Sequence, residues 1–201
     1  MDIKNAKFIT SLSKYDDFAG PELSQIAIVG KSNVGKSSLI NSLCRHGKLS
    51  KISSTPGKTR LINVFEATVF DDTFEQRFQI IDLPGYGYAK VSNVEKLKWA
   101  NMIENYLLNS SQLLNLFHLV DIRHDPTQDD VLMNEFIRSN NLNFTTIATK
   151  ADKISRSAYM RNISSICRKL QVQPWEIIPY SSETCYGRDS LIKNILTVLK
   201  A

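Results

Sequence analysis

Residues Gly30 to Ser37 read Gly-Lys-Ser-Asn-Val-Gly-Lys-Ser, and this stretch narrows the available folds more than any other in the chain. It fits the phosphate-binding pattern G-x-x-x-x-G-K-[ST], which works only as a loop between a strand and a helix. The flanks supply that context. Gln25-Ile-Ala-Ile-Val29 is a mostly apolar run that suits a buried strand, and Ser38 to Arg45 places Leu39, Ile40 and Leu43 on one helical face. The two glycines let the backbone close around a phosphate. The helix start offers free N–H groups and a partial positive charge. Lys36 can reach β- and γ-phosphates, and the Ser37 hydroxyl can ligate Mg²⁺. Gly30, Lys31, Ser32, Asn33, Val34, Gly35, Lys36, Ser37 and Ser38 are therefore the expected phosphate-contacting residues.

The rest of the chain alternates strand and helix. After the polar, aperiodic stretch His46 to Arg60, two strand-like runs, Leu61 to Phe70 and Phe74 to Ile81, meet at Asp71-Asp72 as an antiparallel hairpin. Then come a helix over Glu95 to Leu108, a strand over Leu113 to Val120 and a helix over Gln128 to Ser139. A strand over Phe144 to Ala148, a helix over Ser157 to Leu170, a strand over Glu176 to Tyr180 and a helix over Ser190 to Leu199 complete the pattern. Such alternation predicts an α/β fold. The expected form is a mostly parallel six-stranded sheet with one antiparallel strand and helices on both faces. Residues 24–200 form one domain, and residues 1–23 a short N-terminal extension packed on it, with a short edge strand over Ala6 to Leu12. The 201-residue length suits one well-buried core and leaves no room for a second catalytic domain.

Ligands in such sheets bind at the carboxyl ends of the strands, and the remaining motifs all follow strands. Asp82-Leu83-Pro84-Gly85 is a D-x-x-G element. Its acid can hold Mg²⁺ through a water, and the Gly85 N–H can sense a γ-phosphate. Thr149-Lys150-Ala151-Asp152 discriminates between bases: a carboxylate accepts from the N1–H and exocyclic NH₂ of guanine, and adenine has no matching donor pair. The usual guanine-binding form begins with Asn, and Thr149 offers one hydroxyl instead of an amide, which puts its hold on the base or the phosphate loop in question. Tyr180-Ser181-Ser182 lies where backbone N–H groups can meet guanine O6. Thr59 is the candidate switch threonine that ligates Mg²⁺ when a γ-phosphate is bound, with Thr55 as its competitor. Gly57, Lys58, Arg60 and Leu61 flank it.

Together, Gly30 to Ser37, Ser54-Thr-Pro-Gly-Lys-Thr59, Asp82-Leu-Pro-Gly-Tyr-Gly-Tyr88 and Thr149 to Asp152 resemble the EngB (YsxC/YihA) family of bacterial ribosome-biogenesis GTP-binding proteins. The resemblance runs from about Ile3 to Leu199 and includes Val120-Asp-Ile-Arg-His124. It implies a three-layer Ras-like fold, GTP/GDP and Mg²⁺ binding and slow GTP hydrolysis. It also implies a partner, an assembly intermediate of the large ribosomal subunit with its rRNA and proteins. Lys36, Asn33 and Thr59 are the expected catalytic residues, and Ser37, Thr59 and Asp82 (through water) the metal ligands. Tyr86 stands where many GTPases place a water-orienting glutamine, so slow intrinsic hydrolysis is expected. In related GTPases an asparagine at the position of Asn33 helps hold K⁺; the alternative is that Asn33 only stabilises the loop.

Composition adds little. The net charge of +5 is a mild basic bias. Lys48, Lys51, Lys58 and Arg60 flank the first switch and Lys90, Lys96 and Lys98 the second, while Tyr86 and Tyr88 offer stacking surfaces for bases. A solvated basic surface is the plainer reading without the family. Cys44, Cys167 and Cys185 form no ligand pair and suit a reduced cytoplasmic compartment. No apolar run approaches the roughly 20 residues of a membrane span; no membrane partner and a monomer are expected. His46, His118 and His124 lack metal-ligand spacing, and Trp99 and Trp175 read as packing residues. Two rivals remain: a signalling-type GTPase with a protein partner and no RNA, and a P-loop ATPase or kinase.

Overall fold

The computed structural model describes residues 1–14, 21–50, 61–87 and 93–201, with backbone only at 93, 95, 96 and 99. Seven strands form one sheet in the order β1-β3-β4-β2-β5-β6-β7. They are β1 (Asp2–Leu12), β2 (Gln25–Gly30), β3 (Ile62–Phe70), β4 (Glu75–Asp82), β5 (Leu113–Asp121), β6 (Phe144–Thr149) and β7 (Ile177–Pro179). Among the described residues five α-helices cover it: α1 (Lys36–Leu43), α2 (Asn93–Asn109), α3 (Gln128–Ser139), α4 (Arg156–Leu170) and α5 (Arg188–Lys200). β3 alone runs against the others, antiparallel to both β1 and β4, while β4, β2, β5, β6 and β7 pair in parallel.

The sheet has seven strands, not six, because the N-terminal segment joins it as β1 along the full length of β3. The sequence shows only the second half of that strand. β1 is an edge: Lys4, Asn5 and Lys7 face solvent, Asn5 has φ 55°, and the register slips between Lys4 and Lys7 and between Phe8 and Thr10. Lysines and bulges on an edge strand deter pairing with another chain, and they also erase the alternation that would announce a strand. Asp2 fixes the start. It pairs with the buried Arg188 of α5 and with Arg45 at 3.0 Å, and Arg188 also donates to the Leu43 carbonyl at the end of α1.

Period-two alternation in β2 divides the core. Ile26 and Ile28 pack with Leu39, Ile40 and Leu43 of α1 and with Leu191, Ile192 and Ile195 of α5. Ala27 and Val29 face the opposite layer, with Ile103, Tyr106 and Leu107 of α2 and Ile137 of α3. Ile163, Ile166 and Leu170 of α4 close a third cluster over Val120 and Ala148. All six residues of β2 are buried. The chain leaves β2 towards β4 and β3 on one side and β5 to β7 on the other. The carboxyl end of β2 is thus the switch point of the sheet, where such folds open a crevice.

Candidate nucleotide-binding site

The Gly30–Ser37 loop occupies that crevice. The Val34 N–H closes a turn on the Lys31 carbonyl at 3.1 Å. Gly35 then caps α1 with φ 115°, a backbone that a side chain would strain. Lys36, Ser37 and Ser38 lie in the first helical turn, where backbone N–H groups lack intrahelical acceptors. The Lys36 ammonium sits 3.9 Å from Oδ1 of Asp82 at the end of β4, and both side chains are largely buried. Burial pushes the Asp82 carboxyl up, while Lys36 and a hydrogen bond from the neighbouring Asn63 pull it down. Asp82 Oδ1 is buried and has no hydrogen-bond partner. An acceptor left so is costly, and a water on Mg²⁺ would supply the missing donor. The residues fit the ion, with Asp82 acting through water beside the Ser37 hydroxyl.

Thr149 answers the doubt about the missing asparagine. Its hydroxyl lies 2.7 Å from the Val34 carbonyl and 3.1 Å from the Val120 carbonyl, so one donor is shared between the phosphate loop and β5. Lys150, at φ 62°, sends its ammonium back to the Asn33 carbonyl at 2.9 Å and to Asp121 Oδ2 at 2.8 Å. Its stem thereby lines the gap between loop and base site. Asp152, two residues on, lines a separate cavity with Ser155, Tyr159 and Tyr186, its Oδ1 accepting from the Ser181 hydroxyl at 2.7 Å and its Oδ2 paired with Lys153 at 3.0 Å. The Ser181 hydrogen bond does most to hold its carboxyl below the usual range, against a rise from burial, with help from Lys153. A carboxylate kept anionic and partly exposed can accept two further donors.

The chain is similar to known GTP-binding proteins. A family model described as "50S ribosome-binding GTPase" matches residues 25–150. A probable GTP-binding protein EngB of Heliobacterium modesticaldum is 43% identical over 194 residues, 96% of this chain and 91% of its own. One from Clostridium acetobutylicum is 46% identical over 196 residues, 97% of this chain and 94% of its own.

The chain belongs to the EngB family of GTPases.

The fold agrees as well. A crystal structure of a probable EngB matches with a TM-score of 0.67 at 22% identity, over 88% of this chain and all but 1% of that one, covering 99% of it. Era in complex with MgGDPNP and a 16S ribosomal RNA segment matches with a TM-score of 0.69 at 28% identity, over 87% of this chain and 56% of that one. Among the described residues no helix is long and apolar enough to cross a membrane.

Not every residue expected in an EngB site faces it. Leu83 and Tyr180 are fully buried: Leu83 packs in the α2 layer, and the Tyr180 hydroxyl meets Ser42 Oγ at 2.8 Å. Their contribution is through backbone, with the Ala151 N–H on the Tyr180 carbonyl at 3.1 Å and the Leu83 N–H on the Ile28 carbonyl at 3.1 Å. Pro84 and Val34 are buried too, and Ser182 is half-buried. Leu61 stands partly exposed just before β3. Gly57, Lys58, Thr59 and Arg60, like Thr55, Lys51, Tyr88 and Lys90, lie outside the described residues, as do the side chains of Lys96 and Trp99. Trp175 is not a packing residue but 80% exposed, on a single 3₁₀ turn before β7. Tyr86 is not free to stack on a base either, because its hydroxyl meets His118 and Asp130.

Two groups carry more than the sequence reading gave them. Asp121 accepts from Lys150 and receives Arg123 at both oxygens, at 2.9 and 2.7 Å. Burial raises its carboxyl, but these donors outweigh that and hold it at about 2. Asp121 ends β5 in register with Thr149, a pairing that only the folded sheet creates. Asp121, Arg123, Lys150 and Asn33 share a cleft of about 430 Å³ beside the loop. The contact of Tyr86 with His118 and Asp130 had no sequence signal, because three separate elements supply it.

Proposed function

We propose that this chain binds GTP along the line from Asp152 to Lys36, hydrolyses it slowly, and serves as a nucleotide-dependent switch in assembly of the large ribosomal subunit. The observation that carries the first part is the Lys150 bridge. One side chain ties the carbonyl of Asn33 in the phosphate loop to the strand end that presents Asp152, so base choice and phosphate cradle are held as one rigid unit. Asp152 selects guanine; Gly35, Lys36 and Ser37 take the phosphates; Ser37, Thr59 and Asp82 hold Mg²⁺. Bound Mg²⁺ would neutralise charge building on the phosphates. The ribosomal part rests on family membership, and the exposed Lys48 and Lys98 suit an RNA surface.

Base choice is tested by competition. ATP should fail to displace labelled GTP at equal concentration, and Asp152→Asn should favour xanthine over guanine nucleotide, because the new amide donates where xanthine accepts. Equal displacement by ATP would favour a P-loop ATPase or kinase. For the partner, the protein should sediment with large-subunit particles when loaded with a GTP analogue and not with GDP; no co-sedimentation in either state would favour a signalling GTPase. The K⁺ reading places a monovalent ion at Asn33, which is exposed at φ 63° with its carbonyl already held by Lys150. Equal hydrolysis rates in K⁺ and Na⁺ would remove it.

A further inference from the structure

Tyr86 is fastened to the molecule twice. Its backbone forms a parallel bridge with Lys31: the Tyr86 N–H donates to the Gly30 carbonyl at 3.3 Å, and its carbonyl accepts from the Ser32 N–H at 2.9 Å. Its hydroxyl donates to Asp130 Oδ1 at 2.7 Å and lies 2.9 Å from His118 Nε2. A hydroxyl has one proton. With that proton on Asp130, His118 must be the donor, which assigns the neutral Nε2–H form and leaves Nδ1 as a bare acceptor. Nδ1 is indeed buried without a partner. Asp130 is anchored in turn, its Oδ2 accepting from the Thr127 N–H at 2.8 Å and hydroxyl at 2.7 Å in the capping box of α3.

The consequence falls on Gly85, one residue earlier. A Cβ at Gly85 would stand 3.2 Å from both Lys36 Nζ and the Ser32 nitrogen. The D-x-x-G segment therefore lies directly over the two phosphate-loop donors that face it, and one of them is already spent on the Tyr86 carbonyl. A diphosphate needs the donors at the start of α1. A third phosphate must come between the loop and Gly85.

We propose that His118 and Asp130 are positioning residues that hold Tyr86, and through it the D-x-x-G segment, against the phosphate loop, so that the γ-phosphate binds only by breaking this latch. The proposal rests on the GTP site described above. Burial keeps the His118 ring neutral, with its pKa down at about 4 despite the nearby Asp130 carboxylate, so the latch is closed at neutral pH.

The test is the affinity of the protein for GDP and for a non-hydrolysable GTP analogue, measured on wild type, Tyr86→Phe and Asp130→Ala. Asp130→Ala removes one hydrogen bond of the latch and Tyr86→Phe both; each should tighten the GTP analogue about fivefold or more, Tyr86→Phe the most, while GDP stays within about twofold. An unchanged ratio in folded variants, or a weaker GTP analogue, overturns the proposal. A variant that does not fold is replaced by a measurement on wild type. There the ¹⁵N signals of the His118 ring should move with the GTP analogue and not with GDP; identical His118 signals in both states overturn the latch. If wild type binds neither nucleotide, the GTP site itself fails, an outcome distinct from binding both with an unchanged latch.

Discussion

Acidifying the protein should unload stability through His118 before it does so through its carboxylates. The ring is fully buried, and burial lowers its pKa from 6.5 to about 4. The folded state therefore stays neutral where the unfolded chain takes up a proton. For a base depressed in this way, the contribution is complete above pH 6.5, falls as pH drops from 6.5 towards 4, and then levels off. Integrating proton uptake between those two values gives a loss of about 2 kcal/mol between pH 7.5 and pH 5, and about 3 kcal/mol by pH 4. The comparison variant is His118→Gln, whose amide can still donate to the Tyr86 hydroxyl but cannot titrate. Urea unfolding of both proteins near pH 7.5 and near pH 5 isolates the ring, because every other group titrates in both. Wild type should lose about 2 kcal/mol more than the variant. Equal losses would show that His118 is not a neutral buried base, and the assignment of its Nε2–H form would fall with it.

Four further substitutions probe the site and its frame. Thr149→Val removes the shared hydroxyl from the Val34 and Val120 carbonyls and should cost about 1–3 kcal/mol in urea unfolding, with Thr149→Ser recovering most of it. Gly187→Ala sets a Cβ 2.0 Å from the Pro179 carbonyl oxygen at φ 80°; the loop that carries Ser181 must shift, and a loss above about 2 kcal/mol is expected by thermal or urea unfolding. Arg188→Met leaves Asp2 with Arg45 alone and the Leu43 carbonyl without its donor; a loss of about 2–3 kcal/mol should be accompanied by faster amide exchange along β1. Trp175→Ala, at a side chain 80% exposed, should stay within about 0.5 kcal/mol of wild type by the same urea assay.

Residues near in sequence and tied to a fixed backbone shape were readable in advance. The 30–37 loop needs a glycine at 30, where a Cβ would meet the Leu119 carbonyl, a glycine at 35, where φ turns positive, and a cation at the helix start, so its chemistry is written in consecutive letters. Thr149 to Asp152 could be placed just past a strand end for a similar reason, because the apolar run of β6 stops there. The strand–helix alternation gave the sheet because burial on both faces leaves nearly continuous apolar runs. Where side chains needed partners far along the chain, the letters were silent. β1 reads as half polar because it is an edge strand, paired on one side only with β3, about sixty residues away. Asp121 earned its role only by standing opposite Thr149 across two parallel strands.

The amino-acid order by itself determined the motifs: a phosphate-loop pattern, a D-x-x-G carboxylate at the end of a strand and the Thr149 to Asp152 run. Only the tertiary structure decided what Tyr86 does. In the sequence it is an aromatic residue in the place of a glutamine. In the folded protein, β5 brings His118 and α3 brings Asp130 to its hydroxyl, and the backbone beside it closes over the phosphate loop. Hydrogen bonds reach only about 3 Å, so a contact among residues 86, 118 and 130 exists only once the strands have set their order.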